Sequence, residues 1–128
     1  MNQSKVDGTG HRILVVDDDL SIRVLLEAVL TRVNFDVDLA ADGEMGLRML
    51  EGRAYDLILL DLMMPKVDGY EFLKRLRPGA SEEKPHVIVF TAAGQRGIDS
   101  IPPEAVCASI LKPFDLGPFL DLIDGCLR

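Results

Sequence analysis

The sequence lacks the features that mark membrane-spanning and secreted proteins. Its longest apolar runs, such as those at residues 57–60 and 87–90, have the length of strands and fall far short of the roughly 20 residues that span a bilayer. Residues 1–12 are polar and contain no apolar stretch of the kind found in a secretion signal. We therefore expect no membrane segment, no membrane partner and a cytoplasmic location.

Cysteine and positive charge are also scarce. The chain has 2 cysteines, Cys107 and Cys126, whose spacing fits neither a metal-ligand motif nor a disulfide framework, so both are predicted to be reduced and structural. The 14 Lys and Arg residues are outnumbered by 21 Asp and Glu residues. The resulting net charge of −7 has the wrong sign for neutralising a phosphate backbone. We expect no nucleic-acid partner.

The chain does contain enough apolar residues for one packed domain. It has 128 residues, of which 48% are hydrophobic, and a second domain would leave neither half enough interior. We assign residues 12–128 to this domain and residues 1–11 to a disordered N-terminal lead.

Strand-like and helix-like periods alternate along this domain. Continuous apolar runs at residues 13–16, 57–60 and 87–90 predict central strands that are covered by helices on both faces. Residues 35–39 alternate apolar and acidic side chains, and residues 107–111 are short and mixed, which favours edge positions for both. The pattern thus predicts five strands.

Helices are predicted between the strands and after the last one. Asp19, Asp42 and Asp115 are candidate N-caps for the first, second and last helix, Gly52 can end the second, and Pro78-Gly79 can stop the third. The apolar positions expected to face the core are Ile22, Leu25, Leu26, Val29, Leu30, Met45, Met49, Phe72, Leu73, Leu76, Leu116, Phe119, Leu120, Ile123 and Leu127.

The fourth crossover breaks this pattern. Residues 94–103 contain two glycines and end in two prolines, which weaken a helix interior, so we predict a loop or a short, distorted turn of helix there. Alternating strands and helices with short connections predict an α/β fold, a doubly wound parallel sheet. In such sheets the functional site lies beyond the carboxyl ends of the strands.

Acidic, hydroxyl and basic residues follow four of the predicted strands. They are Asp17 and Asp18 after the first strand, Asp61 after the third, Thr91 after the fourth and Lys112 after the fifth. Carboxylates brought so close repel one another unless a cation lies among them, and ligands that are all oxygen favour Mg²⁺. A carboxylate beside Mg²⁺ and a lysine is a suitable nucleophile for a phosphoryl group, here Asp61. An ordinary salt bridge between Lys112 and Asp61 is the simpler alternative.

These residues stand in motifs that resemble the receiver domains of two-component response regulators. The resemblance covers residues 12–127, and the matching segments are Ile13-Leu14-Val15-Val16-Asp17-Asp18-Asp19, Leu59-Leu60-Asp61-Leu62-Met63-Met64-Pro65 with Asp68-Gly69, Val89-Phe90-Thr91-Ala92 and Leu111-Lys112-Pro113-Phe114. It implies a flavodoxin-like sheet of five strands in the order 2-1-3-4-5, which is the order of this family.

The resemblance also implies a role for each site residue. Asp61 would accept a phosphoryl group from a histidine kinase or a histidine phosphotransfer protein. Thr91 and Lys112 would contact the phosphoryl oxygens, and the Lys112-Pro113 bond is expected to be cis. The implied Mg²⁺ ligands are Asp18, Asp61 and the main-chain carbonyl of Met63, with Asp17 acting mainly through water.

One residue and one segment depart from the family pattern. The family usually places an aromatic switch residue three positions before the lysine-proline pair, and here that residue is Ser109. The fourth crossover, which is commonly part of the partner-binding face, is the Gly- and Pro-rich segment 94–103. Our hypothesis is that phosphorylation orders or displaces this segment instead of rotating an aromatic side chain.

Alternative functions differ in what they require of the site. A phosphorylation-independent, receiver-like binding module would suit the altered Ser109 and segment 94–103. A magnesium-dependent phosphohydrolase normally needs an Asp two residues beyond the nucleophile, where this chain has Met63. We therefore expect a single-domain regulator, not an enzyme with a separate substrate, that signals through contacts with a downstream protein target.

Overall fold

A five-stranded parallel sheet lies at the centre of the computed structural model, which describes residues 6–64, 67–76, 85–92 and 94–128. The strands are β1 (Arg12–Val16), β2 (Asp36–Ala40), β3 (Leu57–Asp61), β4 (His86–Thr91) and β5 (Ala108–Leu111). They pair in the order β2-β1-β3-β4-β5. The predicted doubly wound, flavodoxin-like order is confirmed, and so are the edge positions of β2 and β5.

The α-helices within the described residues are α1 (Leu20–Arg32), α2 (Gly43–Gly52), α3 (Gly69–Arg75), α4 (Gly94–Asp99) and α5 (Leu116–Leu127), and a 3-10 helix spans Pro103–Ala105. The predicted caps Asp19 and Asp42 each accept a backbone hydrogen bond of 2.8 Å, whereas Asp115 precedes α5 without a side-chain cap bond. The fourth crossover is short, as predicted. The expected stop at Pro78-Gly79 lies outside the described residues. None of the helices described is long and apolar enough to cross a membrane.

The helices cover both faces of the sheet and form two core layers. Alternate strand residues point to opposite faces, so Ile13 and Val15 pack in the layer of α1 and α5, while Leu14 and Val16 pack in the layer of α2 and α3. Burying a side chain of this size contributes roughly 1.5–3 kcal/mol. Two predicted core positions are wrong, since Leu25 and Met45 are exposed. Each residue lies at the border of the apolar face of its helix, and the sheet covers only the centre of that face.

Residues 6–11 pack against the domain instead of forming a disordered lead. Val6 is buried in the same core layer as Phe35, and the Gly8 amide donates a hydrogen bond of 2.6 Å to the Val33 carbonyl. The prediction is therefore wrong for these residues, because a single apolar side chain and backbone bonds to the end of α1 are enough to hold them. Residues 1–5 lie outside the described residues.

The two cysteines are joined in a disulfide, which contradicts the prediction that both are reduced. Cys107 directly precedes β5 and Cys126 lies in the last turn of α5, with their α carbons 6.1 Å apart. This separation is within the range that a disulfide requires. The packing of α5 beside β5 brings the pair together, and the sequence separation of 19 residues gave no sign of it.

A network of charged and polar side chains flanks the edge strand β2. Arg12 Nε lies 3.0 Å from Asp36 Oδ2, and Arg53 Nη1 lies 2.9 Å from Asp38 Oδ2. The Tyr55 hydroxyl donates a hydrogen bond of 2.6 Å to Asp38. Burial and this hydrogen bond to Asp38 raise the pKa of Tyr55 above its usual value.

Candidate functional site

The predicted site residues meet at the carboxyl edge of the sheet, where β1, β3, β4 and β5 end side by side. They are Asp17, Asp18, Asp61, Thr91 and Lys112. Asp61 is in register with Phe90 on β4, so Thr91 follows directly beside it. Asp17, Asp61 and Thr91 are buried, whereas Asp18 is exposed.

Three carboxylates form the acidic part of the site. One oxygen from each of Asp17, Asp18 and Asp61 lies within 4.8 Å of the others. These ligand atoms are all oxygen, which is the donor type that a hard cation such as Mg²⁺ prefers. Met63, the remaining predicted ligand residue, follows Asp61 in sequence, and its amide donates a hydrogen bond of 3.1 Å to Asp61 Oδ1.

Lys112 supplies the positive charge of the site. Its Nζ lies 3.0 Å from Asp17 Oδ2 and 3.5 Å from Asp61 Oδ2. The Lys112–Asp61 salt bridge of the simpler alternative is therefore present, and Lys112 lies closer still to Asp17. Lys112 offsets part of the charge of two buried carboxylates, and it lies where it can also meet a group bound to Asp61.

Neighbouring groups hold Lys112 in this position. The Lys112-Pro113 peptide bond is cis, as the resemblance implied. The Lys112 amide donates a hydrogen bond of 2.9 Å to the Thr91 carbonyl, and Nζ lies 4.9 Å from the centre of the Phe90 ring. A cation at this distance from an aromatic face is attracted by the ring. The contribution of Phe90 was missed from the sequence, where it reads only as a core residue of the fourth strand.

The surroundings of Asp61 disfavour its charged form when no metal is present. Burial is the main cause and raises the pKa of Asp61 to about 6. The charge of Asp17 adds to this rise, while the Met63 amide and Lys112 oppose it. A cation bound beside Asp61 would favour its ionised form.

The start of α1 holds Asp17 in place. The Asp19 amide donates a hydrogen bond of 2.9 Å to Asp17 Oδ1, and Arg23 Nη1 donates one of 2.7 Å to the Asp17 carbonyl. The sequence analysis missed Arg23. Its position four residues after the N-cap Asp19 was the available signal, because that spacing places it on the helix end that faces the site.

Gly69 packs against the segment that follows Asp61. Its amide donates a hydrogen bond of 3.0 Å to the Leu62 carbonyl. A Cβ at this position would lie 2.6 Å from Leu62 Cα and 2.9 Å from the Asp61 carbonyl oxygen, so any larger residue would displace the backbone. The sequence analysis quoted Asp68-Gly69 as part of the motif but gave Gly69 no role.

The fold and the site together define a class: doubly wound α/β domains with an acidic cluster and a lysine at the carboxyl edge. Comparison with known proteins makes the class specific, because the family model described as "Response regulator receiver domain" matches residues 13–124. The chain belongs to the receiver domain family of two-component response regulators. Within that family it is CheY-like.

Two curated relatives and one solved structure illustrate the similarity. The chain is 33% identical over 107 residues to the probable chemotaxis protein CheY of Rhizobium etli, covering 82% of this chain and 83% of that protein. It is 37% identical over 122 residues to the DNA-binding dual master transcriptional regulator RpaA of Synechocystis, covering 91% of this chain and 49% of that protein. The chain thus spans about half the length of this second relative.

The solved structure is the receiver domain of a sensor histidine kinase from Pseudomonas aeruginosa, with a magnesium ion coordinated in its active-site cleft. It superimposes with a TM-score of 0.81 at 28% sequence identity, covering 93% of this chain and 98% of that one. Receiver domains generally bind Mg²⁺ at an acidic pocket, and the cluster of Asp17, Asp18 and Asp61 is the candidate for that pocket here.

Proposed function

We propose that Asp61 accepts a phosphoryl group from the phosphohistidine of a histidine kinase or a histidine phosphotransfer protein. The phosphorylated domain then signals through contact with a downstream protein. The observation that supports this proposal is the meeting of Asp17, Asp18 and Asp61 with Lys112 at one edge of the sheet. Membership of the receiver family adds the expectation of a histidine kinase partner.

The transfer exchanges one bond to phosphorus for another. An Asp61 carboxylate oxygen attacks the phosphorus, the P–O bond forms as the P–N bond breaks, and the electron pair stays on the imidazole nitrogen. Lys112, already 3.5 Å from Asp61, offsets the negative charge of the phosphoryl oxygens. Thr91, buried at the end of β4, donates its hydroxyl hydrogen to another of these oxygens.

Mg²⁺ is the cofactor in this proposal. Asp18, Asp61 and the main-chain carbonyl of Met63 would hold it directly, with Asp17 acting mainly through water. When bound, the ion offsets charge on the phosphoryl oxygens. The three carboxylate oxygens that lie within 4.8 Å of one another support this assignment.

We do not propose that the chain turns over a separate substrate or uses a second catalytic acid. Two residues beyond Asp61, where a phosphohydrolase would need an Asp, the exposed side chain is that of Met63. The chain would therefore promote only its own phosphorylation and dephosphorylation. A cytoplasmic location, where it would meet its kinase, belongs to the same proposal.

Labelling with a small phosphoryl donor tests the proposal. Incubation with acetyl phosphate and Mg²⁺ should add the mass of one phosphoryl group, and EDTA or the Asp61→Asn substitution should abolish the gain. Asp121→Asn, at an exposed carboxylate on α5, is the matched control and should be labelled like the wild type. Intact-protein mass spectrometry measures all four samples. Absence of a mass gain in folded wild-type protein would favour the phosphorylation-independent binding module.

The outer face of α1 supports a protein as the phosphoryl donor. Leu20 and Val24, one helical turn apart, are 64% and 54% exposed at the end of α1 that adjoins Asp17. Adjacent exposed apolar side chains beside a reactive site are typical of a protein-binding surface.

Substitution at this face should separate protein donors from small ones. We expect Val24→Ser to slow transfer from a phosphorylated histidine kinase by about tenfold, because it removes apolar contact from the docked complex. Labelling by acetyl phosphate should not change. Ala28→Ser, one turn further from the site, is the control. If transfer from both donors slowed equally, Val24 would affect the phosphoryl-transfer step and not the docking of the protein donor.

A further inference from the structure

Helix α4 has little stability of its own. It is only six residues long, begins at Gly94 with a φ of 80°, and contains Gly97 in its interior. Isolated helices of this length are unstable in water, and an interior glycine costs about 1 kcal/mol relative to alanine. The position of α4 therefore depends on the contacts it makes with the rest of the domain.

A side chain from α3 makes one of these contacts. The Tyr70 hydroxyl donates a hydrogen bond of 2.8 Å to the Gly97 carbonyl, which also accepts one of 2.8 Å from Ser100 Oγ. Gly97 is within the last four residues of α4, whose carbonyls have no partner inside the helix. Tyr70 thus caps α4 from a neighbouring helix, and its half-buried ring packs against the same core layer as Phe72.

Tyr70 is also linked, through Gly69, to the segment that follows Asp61. Tyr70 directly follows Gly69, whose amide bonds to the Leu62 carbonyl. A Cβ at Gly69 would lie 2.6 Å from Leu62 Cα and 2.9 Å from the Asp61 carbonyl oxygen, so the two segments are closely packed. A displacement of the backbone after Asp61 cannot be absorbed at Gly69, because no space separates the two segments. It must move the first turn of α3, and with it the Tyr70 hydroxyl.

We propose that the Tyr70–Gly97 hydrogen bond is a latch that transmits the phosphorylation state of Asp61 to α4. This inference rests on the proposed function. The latch holds α4 in the unphosphorylated domain, and phosphorylation shifts the start of α3 and releases it. Ser109 on β5 has no ring that could report the same event. The latch gives segment 94–103 a physical connection to the site that does not need an aromatic residue at that position.

Hydrogen exchange of the backbone amides in residues 94–106 tests the latch. Wild-type protein and Tyr70→Phe are compared in EDTA and with Mg²⁺ and beryllofluoride, a phosphoryl mimic. In EDTA, Tyr70→Phe should exchange roughly fivefold faster than wild type over this range, which is the effect of losing one hydrogen bond. The mimic should speed exchange in the wild type and add little in Tyr70→Phe.

The second tyrosine provides a matched control. Tyr55→Phe also removes one phenolic hydroxyl, but its hydrogen bond is to Asp38 beside β2, so exchange in residues 94–106 should equal that of wild type. Equal exchange of Tyr70→Phe and wild type in EDTA would overturn the latch. So would a full response of Tyr70→Phe to the mimic. Wild-type protein that is not labelled by acetyl phosphate would contradict the proposed function itself, and the EDTA comparison would still decide whether Tyr70 holds α4.

Discussion

Replacing Lys112 with Met is expected to lower the free energy of unfolding of the Mg²⁺-free protein at pH 7 by about 4 kcal/mol. The substitution removes the cation that lies 3.0 Å from Asp17 and 3.5 Å from Asp61. Asp17 is completely buried, so its charge cannot be solvated once its partner is lost. Urea denaturation of both proteins in EDTA measures the difference.

Two further measurements show whether the loss is electrostatic. Lowering the pH towards 4 should reduce the difference, because Asp61, whose pKa is raised, then takes up a proton. Mg²⁺ at pH 7 should also restore part of the lost stability. Lys74→Met, at an exposed lysine on α3, is the control and should change stability by less than about 0.5 kcal/mol. A loss of the same size for both lysine variants would contradict the assigned role of Lys112.

Replacing Asp61 with Asn is expected to stabilise the Mg²⁺-free protein at pH 7 by about 3 kcal/mol while abolishing phosphorylation. The folded protein raises the pKa of Asp61 from 3.8 to about 6, so the folded state binds this proton more tightly than the unfolded state does. Stability of the wild type should therefore fall as the pH rises from about 4 to about 6 and level off above that range. The asparagine variant lacks this loss.

The comparison requires unfolding curves of both proteins at several pH values in EDTA. The two free energies of unfolding should converge as the pH approaches 4. Asp121→Asn should follow the wild-type profile, because Asp121 is an exposed carboxylate outside the site. Mg²⁺ at pH 7 should stabilise the wild type more than the Asp61→Asn variant. If the Asp61→Asn protein were less stable than wild type at pH 7, the charged Asp61 carboxylate would not destabilise the folded state, and the prediction would be contradicted.

The predictable parts of the molecule are those that depend on local chemistry and on the direction of parallel strands. Asp19 and Asp42 were recognised as N-caps because their side chains bond to amides within three residues. Asp61 and Lys112 could be placed together, although far apart in sequence, because all strands of a parallel sheet end at the same edge. The continuous apolar runs of the central strands made that edge predictable.

The features that were missed depend on packing between distant segments. The disulfide partner of Cys107 is decided by the path of α5, and Val6 is buried in the core cluster that also contains Phe35. A periodic pattern predicts which side of a helix is apolar, but not how much of that side the sheet covers, so Leu25 was wrongly assigned to the core. The bond from Tyr70 to Gly97 crosses 27 residues and has no sequence signature.

The charged network beside β2 has a consequence for encounters between molecules. An edge strand has backbone donors and acceptors with no partner on one side, and a strand from a second molecule could extend the sheet there. Such a strand would have to remove water from exposed charged side chains on or beside β2, among them Asp36 and Arg53. The charged network thus disfavours pairing of β2 with a strand of a second copy. Two copies that meet at this edge would not form a continuous sheet.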